Sequence, residues 1–213
     1  MRNSLLNIIL MIPAMLIAFT FHEYAHALMA DRLGDKTPRF QGRLTLNPAA
    51  HIDLFGFIAV LLFGFGWAKP VQTNPSAYKD YRKDDLKVSA AGVIANFLVA
   101  IIASVIYALY IRFAYSVLPD SLGNVLKIMI SQIIIINVNI GVFNLIPIPG
   151  LDGFSILRDI APSKFYKFEA KFYQYQMLIM LGLVFFGGRI ISKPCNVIIG
   201  WMQEIINIVL KLL

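Results

Sequence analysis

The chain has 213 residues, of which 58% are hydrophobic and 15% charged, and its mean hydropathy is +0.70. Those figures lie outside the composition of soluble globular domains and exclude a soluble enzyme, a disordered regulator or a nucleic-acid binder. The net charge of +7, from 19 Lys+Arg against 12 Asp+Glu, therefore reads as membrane topology. One cysteine, Cys195, excludes an intrachain disulfide and a paired-CxxC zinc site.

A bilayer crossing needs about 20 apolar residues. Residues 5–28, 88–111 and 125–147 meet that length, and two shorter C-terminal runs, 177–191 and 197–213, carry polar positions such as Gln203, Glu204 and Asn207. The first run is not a cleavable signal peptide despite Ala14 and Ala18, because cleavage would remove the helix that continues through Phe21 into a histidine motif. Residues 52–66 are apolar but short, and Gly56, Gly64 and Gly66 weaken them as a spanning helix. Before them, residues 42–47 read as a brief strand; after them, residues 67–75 are punctuated by two prolines.

Lys and Arg accumulate on the cytoplasmic side of membrane proteins. If residues 52–66 re-enter without crossing, the 19 basic residues divide 14 to 5; if they cross, 11 to 8. The expected architecture is therefore an all-α polytopic membrane protein with about five transmembrane helices, a re-entrant segment and the N-terminus outside; a small membrane-embedded β element joins it only through the resemblance given below. A single domain spans 1–213, with a catalytic core at about 5–153 and a helical part at about 177–213.

The chemistry concentrates at His22-Glu23-Tyr24-Ala25-His26, an HExxH motif on a helical pattern. Residues four apart share a helix face, so both imidazoles can reach one metal, and Glu23 beside them can take a proton from water that zinc has acidified. The bland alternative is that the two histidines only bond between helices or sit at the interface with Tyr24. It is weaker here because ionisable side chains in a membrane are costly and default to function.

A catalytic zinc site needs a third protein ligand. Asp53, Asp152, Glu204 and His51 are the candidates, and Asp152 stands out because it follows a Pro- and Gly-rich break, residues 144–151, at the end of the third crossing. Unpaired backbone at membrane depth is tolerated only where it is buried in protein or lines a cavity. In the re-entrant topology His22, His26 and Asp152 meet at one membrane face; in the spanning topology they do not.

These stretches together resemble the site-2 protease family of intramembrane zinc metalloproteases. The matching segments are the motif from Phe21 to Asp35, Gly42-Arg-Leu-Thr-Leu-Asn-Pro48, Gly66-Trp-Ala-Lys-Pro-Val71 and the NxxPxPxLDG-like element from Asn144 to Gly153. The resemblance implies that His22, His26 and Asp152 ligate one zinc ion per chain, that Glu23 is the general base, and that Asn144 assists. It implies single-pass membrane protein substrates within a lipid bilayer. It also implies a β element to which an extended substrate adds, for which Gly42, Arg43, Leu44, Thr45, Leu46 and Asn47 are the candidates.

Ala91-Gly92-Val93-Ile94-Ala95-Asn96 departs from the family by carrying Val93 where proline is usual. No stretch resembles an appended PDZ or CBS domain, so any gating comes from the membrane core or a separate regulatory membrane partner. Other polar residues take structural readings: His51 as a satisfied interfacial histidine, Asp53 as a helix cap, and Asn96, Asn137 and Asn139 as interhelical donors. Trp67 and Trp201 read as interfacial aromatics.

The expected activity is intramembrane zinc-dependent endoproteolysis at or near transmembrane segments, in the cell membrane with the active site toward the cytoplasm. The alternative from another class is a non-catalytic zinc-binding protein that holds or escorts helical clients. A metal-ion transporter ranks last, because the polar groups do not line several crossings. Two imidazoles and a carboxylate also suit iron; the resemblance favours zinc.

Overall fold

The computed structural model describes residues 2–63 and 66–213. Helix α1 (Arg2–Arg32) leads to a short turn of helix, α2 (Thr37–Phe40), and a ten-residue helix, α3 (Leu54–Phe63). Then come α4 (Tyr81–Leu109), whose last turn widens at Tyr110–Ala114, α5 (Asp120–Asn144), α6 (Asp152–Ile160), α7 (Pro162–Gln174) and α8 (Gln176–Leu212).

Among the described residues four helices are long and apolar enough to cross a membrane, at Ile8–Arg32, Tyr81–Ala114, Asp120–Asn144 and Ile191–Leu212. About five crossings are expected from the sequence, against these four candidates among the described residues. The two C-terminal runs are one continuous helix, α8, with Pro194 inside it. Helix α3 spans only about 15 Å at 1.5 Å per residue, half of the roughly 30 Å hydrocarbon core, which fits a segment that enters without crossing.

The helices pack through small residues. On α4, Ala100, Ala103 and Ala108 meet Ile134, Val138 and Val142 of α5 and Cys195, Met202 and Ile206 of α8. On α1, Ala14, Met15 and Ala18 meet Val60 of α3 and Ile136 of α5. Lipid tails are as apolar as a core, so close backbone approach over small side chains is what holds such helices together. The outward faces keep large apolar side chains, including Ile94, Leu98, Ile102 and Ile106 of α4 and Val197, Trp201 and Ile208 of α8.

No β-strand is present among the described residues, which corrects the expected β element. Residues 42–47 run through turn and bend, with Gly42 in the left-handed region at φ 68°. The extended pairing lies instead at a single antiparallel bridge between Ile52 and Ala68, where Lys69 N–H donates to His51 O at 2.9 Å. Gly56 and Gly66 make this return close: a Cβ on Gly56 would stand 2.1 Å from Trp67 O, and one on Gly66 2.0 Å from Gly56 O. These glycines serve an approach of backbone to backbone. Gly64, grouped with them above, lies with Phe65 outside the described residues. Asp53 caps α3, accepting Gly56 N–H at 2.8 Å on Oδ1.

Candidate metal centre

His22 and His26 lie one turn apart on α1, buried, with their Nε2 atoms 3.0 Å from each other. Asp152, the first residue of α6, brings Oδ2 to 3.3 Å from both. The chain delivers it by the break between α5 and α6. Prolines at 147 and 149 cannot continue a helix ladder. The backbone turns through Ile146 N–H to Phe143 O, Ile148 N–H to Ile146 O and Leu151 N–H to Ile148 O. Gly153 then passes so near α5 that a Cβ would stand 2.2 Å from Leu145 O.

Helix α4 lies behind the histidines. His26 Nδ1–H donates to Val88 O at 2.8 Å, and a carbonyl only accepts, so Nδ1 carries a proton and the neutral ring turns an unprotonated Nε2 toward its neighbours. His22 Nδ1 stands 2.7 Å from Asn96 Oδ1. Between these contacts Gly92 exposes bare backbone: a Cβ there would meet His26 Nε2 at 2.3 Å and His22 Cε1 at 2.7 Å.

Asp152 Oδ2 is buried without a hydrogen bond of good geometry. A buried carboxylate oxygen left so, facing two ring nitrogens, is costly unless positive charge lies among the three atoms. Two imidazole nitrogens and one carboxylate oxygen are the donor set of a catalytic site for a first-row divalent metal. The three residues form a group whose ligand atoms all lie within 4.8 Å of one another. The residues therefore fit a metal ion.

Glu23 is buried beside this group, and its Oε2 accepts Val71 N–H at 2.8 Å, with the Arg43 guanidinium 3.9 Å away. Arg43 also donates to Ala50 O and Lys69 O, tying together the chain on either side of α3. Burial pulls the pKa of Arg43 below its ordinary value. His51 is fully buried next to it, 2.7 Å from Thr45 O, and burial likewise holds its imidazole below the usual range. Asp35 anchors the far end of the segment by accepting Asn74 N–H at 2.6 Å and Thr37 N–H at 2.9 Å.

The structure thus brings His22, His26 and Asp152 together and leaves the other third-ligand candidates out: Asp53 caps α3, His51 bonds Thr45, and Glu204 is exposed on α8. Asn144 ends α5, where its Nδ2 donates to Ile140 O at 3.0 Å, and it makes no hydrogen bond to His22, Glu23, His26 or Asp152 among the described contacts. Of residues 42–47, Arg43 points inward to Glu23 and Leu46 is exposed. Val71 and Asp35 escape a reading from sequence: Val71 acts through its backbone, and Asp35 is one acidic residue among many. α4 runs unbroken through Val93, where the family usually has proline.

Comparison with known proteins bears on this geometry. The model of peptidase family M50 matches residues 10–130 and 120–187. The chain belongs to peptidase family M50. The resemblance to site-2 proteases is borne out. A Bacillus subtilis (strain 168) relative named "Putative zinc metalloprotease YwhC" is 38% identical over 152 residues, 71% of this chain and 69% of that one. Two mycobacterial relatives, both named in the same terms as Rip2, are 30% identical over 173 residues (Mycolicibacterium smegmatis) and 27% over 170 residues (Mycobacterium tuberculosis H37Rv). In each case the match covers 73% of this M50 chain and 62% of the relative. No solved structure matches the chain.

Proposed function

We propose that this chain is an intramembrane zinc endopeptidase. In this reading His22 Nε2, His26 Nε2 and Asp152 Oδ2 hold the metal and Glu23 is the general base. The observation that carries it is the convergence of those three atoms within 3.3 Å of one another, the two histidines being carried by a helix suited to crossing a membrane. Bound there, zinc supplies Lewis acidity, which acidifies water toward neutrality and polarises a peptide carbonyl. Glu23 takes the proton from the attacking water and returns it to the leaving amine. Val71 N–H and Arg43 hold Oε2 of Glu23, so the carboxylate is fixed and its other oxygen serves the transfer.

Backbone carbonyls of an intact helix are hydrogen-bonded and enclosed, so a membrane protein substrate must unwind before attack. We place its extended segment against Gly42, Arg43, Leu44, Thr45, Leu46 and Asn47 and the neighbouring return strand at 66–71, none of which belongs to a sheet. Asn144, whose Nδ2 is tied to Ile140 O, is left its Oδ1 to accept a substrate N–H. The catalytic core is 5–153, against which α8 packs through α4 and α5.

The test uses detergent-purified full chain, measured for zinc content and for cleavage of a single-pass substrate with a helix-breaking segment. Unmodified chain is expected to hold about one zinc and Asp152→Ala to lose it. Glu23→Gln should keep the zinc and lose about 100-fold or more in cleavage rate. Undiminished cleavage by Glu23→Gln would sink the mechanism, and zinc retained in full by Asp152→Ala would move the third ligand elsewhere.

A further inference from the structure

Asn96 and Asn137 are both fully buried, in the interior of α4 and α5, and the assignment of Glu23, the two histidines and Asp152 gives them no part. Burying two primary amides among apolar helices costs free energy unless each is satisfied, and their bonds form a directed chain. Asn137 Nδ2 donates to Ile133 O at 2.8 Å. Asn96 Nδ2 donates to Asn137 Oδ1 at 2.9 Å and to Ala18 O at 3.1 Å. Asn96 Oδ1 faces His22 Nδ1 at 2.7 Å.

The direction is settled by the two ends. Ile133 O and Ala18 O are backbone carbonyls and only accept, so each must face an amide nitrogen. Turning Asn96 over would set its oxygen against Ala18 O and Asn137 Oδ1, three acceptors together; turning Asn137 over as well would set its oxygen against Ile133 O. Asn96 therefore presents an acceptor to His22, which must carry a proton on Nδ1, so that its neutral ring offers a bare Nε2. Val88 O does the same for His26. Val88, Gly92 and Asn96 are four residues apart on α4 and face the ligands of α1, themselves four apart: acceptor, gap, acceptor.

We propose that Asn96 is a positioning residue for the metal site, a clamp that fixes the tautomer of His22 through an amide relay anchored on α5. The inference rests on the zinc reading above but concerns a proton on the protein. Metal-ligating histidines whose second nitrogen loses its partner typically bind metal 10- to 100-fold more weakly. In Asn96→Leu the acceptor is gone, and zinc affinity is expected to fall by about that factor. Asn96→Asp keeps an oxygen toward His22 Nδ1 but cannot make both donor bonds of the amide, to Ala18 O and Asn137 Oδ1, so it should recover part of the loss.

The experiment titrates full-length, detergent-purified chain with zinc alone against a chromophoric chelator. In parallel it follows the imidazole N–H protons of the zinc-loaded, 15N-histidine-labelled protein, which has only three histidines to resolve. Wild type should show hydrogen-bonded, slowly exchanging Nδ1–H protons for His22 and His26. Asn96→Leu should lose the His22 signal and keep that of His26, a selective change that a general loss of fold does not produce. Wild-type His22 protonated on Nε2, or Asn96→Leu and Asn96→Asp losing zinc equally, overturns the clamp. That first result needs no variant and so stands even if Asn96→Leu does not fold. Wild-type chain that binds no zinc at all overturns the endopeptidase reading, while the His22 tautomer still decides the clamp.

Discussion

Gly92 shows how much of the site depends on an atom that is missing. Alanine there favours a helix by about 1 kcal/mol over glycine. Its Cβ, however, would stand 2.3 Å from His26 Nε2 and 2.7 Å from His22 Cε1, well inside contact distance. Gly92→Ala is therefore expected to weaken zinc binding by about tenfold or more, because the added methyl pushes both imidazoles off the positions that their contacts with Val88 O and Asn96 Oδ1 hold. Gly200 on α8 has open space around it, so Gly200→Ala is the control, with zinc content unchanged and thermal stability equal or higher. Equal zinc affinity in Gly92→Ala and Gly200→Ala, by chelator competition, would show that the imidazoles do not rest on α4. The histidine pair was legible because helical spacing is periodic in sequence. Gly92 and Asn96 were visible as residues, yet spacing alone does not say which helix a buried amide meets. Val71, which holds Glu23 by a backbone N–H, leaves no side-chain signature at all.

Among the elements, α6 decides whether Asp152 reaches the histidines, and its far end is locked to α4. Arg158 bonds the buried Asp85 of α4 and, at 3.0 Å, its own neighbour Asp159. Removing one partner of a buried ion pair leaves an uncompensated charge and costs about 3–5 kcal/mol, whereas replacing both by apolar groups is often neutral. Arg158→Met leaves Asp85 and Asp159 without their cation, so thermal unfolding should shift down strongly and zinc content should fall as α6 loosens. The double variant Asp85→Leu/Arg158→Met should recover a large part of both. A double variant as unstable as the single one would remove the ion pair as the cause. The break before α6 could be read from Pro147, Pro149 and Gly150, because two prolines two residues apart remove neighbouring ladder donors and a glycine follows them, which a single proline such as Pro194 does not do. The β element could not be placed that way. Residues 42–47 look extended in composition, but Arg43 turns inward to carbonyls of two distant residues, and such a tether overrides local propensity.

At the scale of the whole molecule the open matter is which loops share a face, and α8 decides it. The runs 177–191 and 197–213 read as two short crossings, but proline is tolerated inside membrane helices, and α8 runs unbroken through Pro194 over its 37 residues. That is about 55 Å at 1.5 Å per residue, nearly twice a hydrocarbon core, so a single crossing at the candidate span Ile191–Leu212 would leave the first part of α8 outside the apolar layer. An arrangement of four crossings with a re-entrant α3 predicts that residues 33–80 and 145–175 share the face of the metal site and that the C-terminus joins residues 115–119 on the other. Moving Lys211 outward and Arg189 and Lys193 inward changes the division of basic residues from 14 to 5 into 15 to 4, a stronger cytoplasmic bias. Single cysteines placed in a Cys195→Ala background test it: Lys79→Cys, Lys167→Cys, Ser116→Cys and Leu213→Cys, the first three at exposed loop or surface-helix positions and the last at the chain end. A membrane-impermeant maleimide applied to intact cells should label Ser116→Cys and Leu213→Cys and spare Lys79→Cys and Lys167→Cys, with the pattern reversed in inverted vesicles. If Leu213→Cys labels together with Lys79→Cys, α8 crosses twice and the five-crossing arrangement returns. If Lys79→Cys and Lys167→Cys label from opposite sides, α1 and α6 cannot meet at one face, and the metal centre itself fails.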